Sequence, residues 1–389
     1  MNLTEGLIDS LKSIIGVKTP PTLIQSLSYQ SLLEKRSKDF NQYLIAAETG
    51  SGKTFAFLLP LIDNLKTTEN NKKGDIKRPR ALIVAPTREL CKQLTSQLKS
   101  LTHLSKLKST FVYNVEEQYP DSRYINDDVL IGSPDQLNKL SNDNASIFEG
   151  VEWLILDECD ALFEKDFKSS TQNLVDNVNN NRHHQFNLIL STATVNEKFL
   201  KYVKEQYPKL IKIISNKTHQ LPKSLKINYE PYLSGNKLAD LKNKVKDILF
   251  NNSSSLTKSK NLKVLVFVNT NDKADKVSQY FNERGLSSIS MTSKSKIRSK
   301  VSNRPIKSFL RRYENNNDDD DNVNVLVTTS LLARGLDFGT NVQNVIIGED
   351  SGNVVDFIHR VGRTGRMNSQ GQVTIMVPNK KYRNLNKRR

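Results

Sequence analysis

Ala46-Ala47-Glu48-Thr49-Gly50-Ser51-Gly52-Lys53-Thr54 has the residue types and spacing of a phosphate cradle, and it follows the apolar run Tyr43-Leu44-Ile45. A strand that breaks into two glycines and then a helix lets several backbone N–H groups converge on one anion. The helix N-terminus adds partial positive charge there. Lys53 can reach terminal phosphates, and the Thr54 hydroxyl can hold Mg2+. The usual spacing places Gly six residues before the Lys, where this chain has Ala47. These residues predict a nucleoside triphosphatase.

A second set fits the same chemistry. Trp153-Leu154-Ile155-Leu156 runs into Asp157-Glu158-Cys159-Asp160. An apolar strand ending in two acids can direct the first carboxylate at a metal and the second at the attacking water. A third set, His359-Arg360-Val361-Gly362-Arg363-Thr364-Gly365-Arg366, places three arginines within seven residues. Its spacing allows Arg363 and Arg366 to face one anion as arginine fingers, which are worth on the order of 10³–10⁵ in phosphoryl-transfer rate.

The elements that must position these residues are legible as short, nearly continuous apolar runs, the pattern of strands buried on both faces. They fall at residues 43–46, 81–85, 110–113, 129–132, 153–157, 186–191 and 210–214, with helical patterns such as 89–101 between them. A second set falls at 227–231, 264–268, 288–291, 323–328, 345–348 and 373–377. Alternating strands and helices predict an α/β chain of two tandem units, each a parallel sheet flanked by helices. The expected domains are 1–215 and 227–389, joined by a polar linker at 216–226. Low-complexity stretches at 67–78, 251–261 and 315–322 read as solvated loops.

The chain has 389 residues, long enough for two domains, and 58 basic against 41 acidic residues give a net charge of +17. That excess favours a polyanionic partner, with a lysine-rich surface as the alternative. Cys91 and Cys159 are the only cysteines. Two so far apart make neither a disulfide framework nor a cysteine zinc site. His183 and His184 are adjacent, a poor spacing for one metal. No apolar run reaches the roughly 20 residues of a spanning helix, so no membrane partner is expected. Residues 1–11 carry Glu5 and Asp9 and no arginine, the pattern of neither a signal nor a transit peptide.

Taken in order, the motifs resemble those of the DEAD-box RNA helicases over nearly the whole chain. Pro21-Thr22-Leu23-Ile24-Gln25 resembles the Q motif, and residues 46–54 the variant phosphate loop, Ala included. Pro86-Thr87-Arg88-Glu89-Leu90 matches motif Ia, Ser133-Pro134-Asp135-Gln136-Leu137 motif Ib, and residues 157–160 motif II. Thr192-Ala193-Thr194 resembles motif III. Val266-Phe267-Val268-Asn269-Thr270 matches motif IV, residues 328–337 with Arg334-Gly335-Leu336-Asp337 motif V, and residues 359–366 motif VI.

The resemblance implies two RecA-like domains with the active site in the cleft between them, and ATP and Mg2+ as cofactors. Gln25 would read adenine and Asp337 the ribose. Arg88, Ser133, Thr328 and Arg334 would lie along the RNA backbone. Asp160, Thr192, Thr194 and His359 would couple nucleotide state to RNA grip. The function implied is RNA-stimulated ATP hydrolysis that locally unwinds RNA through backbone contacts without sequence preference, by a monomer. An ATP-dependent RNA clamp and a DNA helicase are the alternatives. The short core and its Asn and Lys content resemble divergent yeast mitochondrial DEAD-box helicases. That implies a place in the mitochondrial matrix and precursors of the large ribosomal subunit as partners, with the nucleolus as the alternative.

The chain also departs from the family pattern. Gln136 stands where Arg is common, and Tyr113-Asn114-Val115 replaces an expected glycine pair. Ile8 is the nearest candidate for an aromatic upstream of Gln25, and Arg298 or Arg304 for an arginine before motif V. No arrangement of aromatics in the sequence suggests base stacking.

Overall fold

The computed structural model describes residues 3–16, 19–34, 41–71, 79–104, 107–119, 125–180, 185–195, 197–215, 224–251, 262–292, 309, 323–330, 338, 342–365 and 369–386. Its contacts divide the chain into two compact units, Met1–Gln220 and Leu221–Arg389.

The first unit is a seven-stranded, all-parallel sheet. Its strands are β1 (Gln42–Ala46), β2 (Ala81–Val84), β3 (Ser109–Val112), β4 (Val129–Gly132), β5 (Trp153–Leu156), β6 (Asn187–Thr192) and β7 (Ile211–Ile214). The spatial order is β3-β4-β2-β5-β6-β1-β7. Leu44, Leu82 and Leu154 enter one core, and Ile45, Ile83 and Ile155 enter the other. Residues of alternate parity thus serve opposite faces, which is why the runs are apolar throughout.

Nine helices cover this sheet among the described residues: α1 (Glu5–Ile15), α2 (Leu23–Glu34), α3 (Lys53–Asn71), α4 (Arg88–Thr102), α5 (Val115–Gln118), α6 (Pro134–Asp143), α7 (Cys159–Leu162), α8 (Lys168–Asn180) and α9 (Glu197–Gln206). The α3 helix corrects one expectation, because its last turns occupy the start of the 67–78 stretch read as a loop. Thr67 and Thr68 donate to the carbonyls of Asp63 and Asn64, and Lys66 pairs with Glu69 at 2.8 Å. The fully buried Arg80 guanidinium donates to Leu65 O at 2.8 Å, bonds the Thr68 hydroxyl, and grips both Glu152 oxygens at 3.2 and 3.0 Å. That clamp fixes α3 against the β2 and β5 starts. Residues 72–78 lie outside the described residues.

The N-terminal helices cover α3 and α4. Leu7 and Ile24 are buried, Ile8 packs against the same core, and Thr4 N donates to Asp63 on α3 at 2.9 Å.

The second unit is a six-stranded parallel sheet of β8 (Leu225–Tyr232), β9 (Lys263–Phe267), β10 (Ser288–Met291), β11 (Val325–Thr328), β12 (Val342–Ile347) and β13 (Gly371–Pro378), ordered β10-β11-β9-β12-β13-β8. Its helices include α10 (Lys237–Asn251), α11 (Asn271–Asn282), α12 (Val354–Val361) and α13 (Asn379–Asn386). β8 begins inside the stretch read as linker and pairs with β13 over its full length. Residues 216–223, 252–261, His183, His184, Arg298, Arg304 and 315–322 lie outside the described residues. Both cysteines are buried and free. Among the described residues no helix is long and apolar enough to cross a membrane.

Candidate active site

Because every strand of the first sheet is parallel, all carboxyl ends meet one edge, and the strand order decides which loops are neighbours. β5, β6 and β1 are consecutive in that order. The acids after β5, the Thr192-Ala193-Thr194 turn after β6 and the phosphate loop after β1 therefore lie side by side. Ala46 pairs with Thr192, and Leu156 with Leu190. This is the place where a parallel α/β sheet offers a crevice to ligands.

The loop itself depends on two glycines in the left-handed region, Gly50 at φ 79° and Gly52 at φ 88°. A Cβ on Gly52 would also stand 2.4 Å from Gln25 Nε2. Gln25 Nε2 donates to Gly52 O at 3.2 Å, and its Oε1 accepts from Thr22 N at 2.9 Å. The amide thus braces the loop and keeps one spare hydrogen and one spare lone pair for a ligand. Glu48 is held by Ser215 Oγ at 3.1 Å, a contact from the end of β7 that no motif announced. Ala47 is fully buried, Thr49, Ser51 and Thr54 are half-buried, and Ser51 Oγ is buried without a hydrogen-bond partner.

Lys53 Nζ donates to Ala47 O at 2.7 Å and Glu48 O at 2.9 Å. The side chain as a whole is half-buried, but its ammonium is desolvated. That desolvation lowers its pKa to about 8 against the pull of Asp157, Glu158, Asp160 and Glu48. Asp157 moves the opposite way. Burial first, then the Glu158 charge, raise it to about 6, and Lys53 offsets part of this. The cradle thus carries an ammonium and a carboxylate whose charges are both held at a cost.

Glu158 is the one non-glycine residue with positive φ among the described residues, at φ 49° and ψ 47°. Left-handed backbone at such a residue costs on the order of 1–2 kcal/mol and marks functional turns. Its Oε2 is buried without a hydrogen-bond partner. Asp160, two residues on, accepts from Thr194 Oγ1 at 2.7 Å. Thr192 Oγ1 in turn donates to Thr194 O at 2.8 Å and accepts from Thr194 N at 3.1 Å. The two threonines and Asp160 form one buried hydrogen-bonded chain from β6 to α7.

These donors fit a Mg2+ ion. Asp157 is a buried carboxylate, and among the described residues no group of three or more His, Cys, Asp or Glu is placed to hold a metal ion by itself. An ion here would take one carboxylate, the Thr54 hydroxyl, water and substrate phosphates, which suits Mg2+ and not a caged metal.

Further along the edge, Ser133 follows β4 and Arg88 follows β2, with Ser133 half-buried and Arg88 exposed. In the second unit, Arg363 Nε donates to His359 O at 3.1 Å. Arg360, to which no role was given, clamps three strand ends. It donates to Ser330 Oγ at 2.7 Å, Glu349 O at 2.9 Å and Asn269 Oδ1 at 2.7 Å. Only spatial neighbours reveal that job. Thr328 ends β11 fully buried, its hydroxyl directed at Met291 O at 3.4 Å. In this conformation it does not offer that hydroxyl to RNA. Arg334, Asp337 and Arg366 lie outside the described residues.

Residues 22–202 match the family model of the DEAD/DEAH box helicases, and residues 241–368 match the helicase conserved C-terminal domain. The chain is 28% identical to DEAD-box ATP-dependent RNA helicase 39 of Arabidopsis thaliana over 388 residues, covering 98% of this chain and 58% of that protein. It is 28% identical to the mitochondrial ATP-dependent RNA helicase mrh4 of Aspergillus oryzae over 457 residues, covering 94% of this chain and 71% of that one. Among solved structures, the DEAD-box helicase Mss116 bound to ssRNA and UDP-BeF superposes with a TM-score of 0.79 at 21% identity, covering 99% of this chain and 76% of that one. Dbp5 of S. cerevisiae bound to RNA and ADP BeF3 gives 0.76 at 20%, covering 100% and 90%. The shared fold is a pair of RecA-like domains.

Proposed function

The chain belongs to the DEAD-box ATP-dependent RNA helicase family, and we propose that it hydrolyses ATP when RNA binds and uses that cycle to unwind RNA locally. One observation carries the reading: β5, β6 and β1 are adjacent. Their order sets the phosphate loop beside Asp157 and Glu158, and beside the Thr192–Thr194–Asp160 chain.

In this reading Ala47, Glu48, Thr49, Gly50, Ser51, Gly52, Lys53 and Thr54 cradle the phosphates, Gln25 reads the adenine edge and Asp337 holds the ribose. Thr54 and Asp157 hold Mg2+, which neutralises phosphate charge when bound. Glu158 takes a proton from the attacking water as that oxygen bonds the γ-phosphorus. The bond to the β–γ bridging oxygen then breaks, releasing phosphate and ADP. Arg363 and Arg366 of the second unit supply positive charge to the transition state when ATP and RNA are both bound. Arg88, Ser133 and Arg334 contact RNA phosphates and 2′-hydroxyls, and these contacts are salt-sensitive and indifferent to sequence. Asp160, Thr192, Thr194 and His359 link the two events.

The names of several relatives, mitochondrial ATP-dependent RNA helicases, support a mitochondrial setting; the matrix as the compartment and precursors of the large ribosomal subunit as the substrate particle are part of the proposal. ATPase rates with and without RNA, and displacement of a short RNA duplex, test the activity. Stimulation without displacement would make the protein an ATP-dependent clamp, and stronger stimulation by DNA would make it a DNA helicase.

A further inference from the structure

The residues that replace an expected glycine pair build a surface of their own. Val112 pairs with Gly132, and Gly132 pairs with Val84. The ends of β3, β4 and β2 therefore bring Tyr113, Ser133 and the turn leading to Arg88 together at the loaded edge of the sheet. Tyr113 is 41% exposed and belongs to neither core of this unit, whereas Phe111 packs into one of them. The Arg88 guanidinium lies 4.9 Å from the Tyr113 ring centroid and 6.0 Å from that of Phe111.

The backbone that carries the ring is also held in place. Tyr113 N and Asn114 N both donate to Gln118 Oε1, at 2.8 and 3.3 Å, and Gln118 Nε2 donates back to Phe111 O at 2.9 Å. A fixed backbone, an exposed aromatic face and a guanidinium beside it are the parts from which single-stranded nucleic acid sites are assembled.

We propose that Tyr113, backed by Arg88, is a stacking platform for one unpaired base of the RNA that crosses this edge. The inference rests on the helicase reading above and adds a base contact to a set otherwise confined to the backbone. It departs from the sequence reading, in which no arrangement of aromatics suggests base stacking. Because every base has a π-face, the platform tolerates any sequence but favours a purine, which stacks over more area.

The test places one 2-aminopurine at successive positions of a uridine oligomer and measures its fluorescence on the full chain with a non-hydrolysable ATP analogue. One position is expected to be quenched. Tyr113→Leu, which keeps apolar bulk over Arg88, should abolish that quenching and weaken binding of the oligomer with a purine there by about tenfold. Tyr113→Phe should keep both. Equal quenching in Tyr113→Leu, or none at any position while RNA still stimulates ATPase, would overturn the platform and leave the helicase reading standing. An oligomer that neither binds nor stimulates the wild-type chain would overturn both.

Discussion

Two opposed protonation shifts at the nucleotide cradle make a proton-linkage prediction. Lys53, lowered to about 8, is about half neutral at pH 8 in the nucleotide-free protein. A triphosphate placed on it supplies the charge that burial denies, so binding should take up about half a proton at pH 8 from this residue. Asp157, raised to about 6, is about half protonated at pH 6, and Mg2+ there should expel about half a proton. Binding of Mg2+ and a non-hydrolysable ATP analogue should therefore release protons at pH 6 and absorb them at pH 8. Titration calorimetry in buffers of different ionisation enthalpy reads this directly. Lys53→Arg, whose guanidinium stays charged at both pH values, is the reference at saturating nucleotide. It should lose the uptake at pH 8 and keep the release at pH 6. Identical proton counts for wild type and Lys53→Arg at pH 8 would show that Lys53 does not take up the proton. The same shift fixes a stability slope. The folded Lys53 pKa is below its unfolded value, so the unfolded chain binds more protons between pH 8 and 10.5, and this residue's contribution to stability rises with pH across that window.

Two further outcomes follow from single residues. Glu158→Gln should leave nucleotide affinity within a few-fold and lower RNA-stimulated turnover by roughly 10²–10⁴, measured by phosphate release, because the water loses its base. Gly52→Ala should destabilise the protein by about 1–2 kcal/mol in chemical denaturation, since its φ of 88° suits only glycine. The same change should abolish nucleotide binding, because the new methyl group displaces the Gln25 amide.

The strands could be read from the sequence because both faces of each sheet are buried, which leaves unbroken apolar runs such as Ala81-Leu82-Ile83-Val84. The chemistry was legible where its groups are consecutive in the chain, as at Gly50–Lys53 and Asp157–Asp160. What escaped is what distant residues assemble. Arg360 reads as one more basic residue until Ser330, Glu349 and Asn269 surround it. The Ser215–Glu48 bond joins residues at opposite ends of the first unit. Polar composition at Thr67 and Thr68 suggested a loop, yet both hydroxyls back-bond within α3 and the buried Arg80 secures its flank. Thr328 was expected to face RNA because of its motif, but its position as the last residue of an interior strand buries it.

Under the proposed mechanism, ATP held by the first unit is cleaved only when Arg363 and Arg366 reach it. Single-turnover hydrolysis at saturating RNA, compared between wild type and Arg363→Ala, tests this most directly. A loss of at least roughly 10³-fold in rate is expected, with nucleotide affinity nearly unchanged. A variant that cleaves ATP at the wild-type rate on RNA would contradict it.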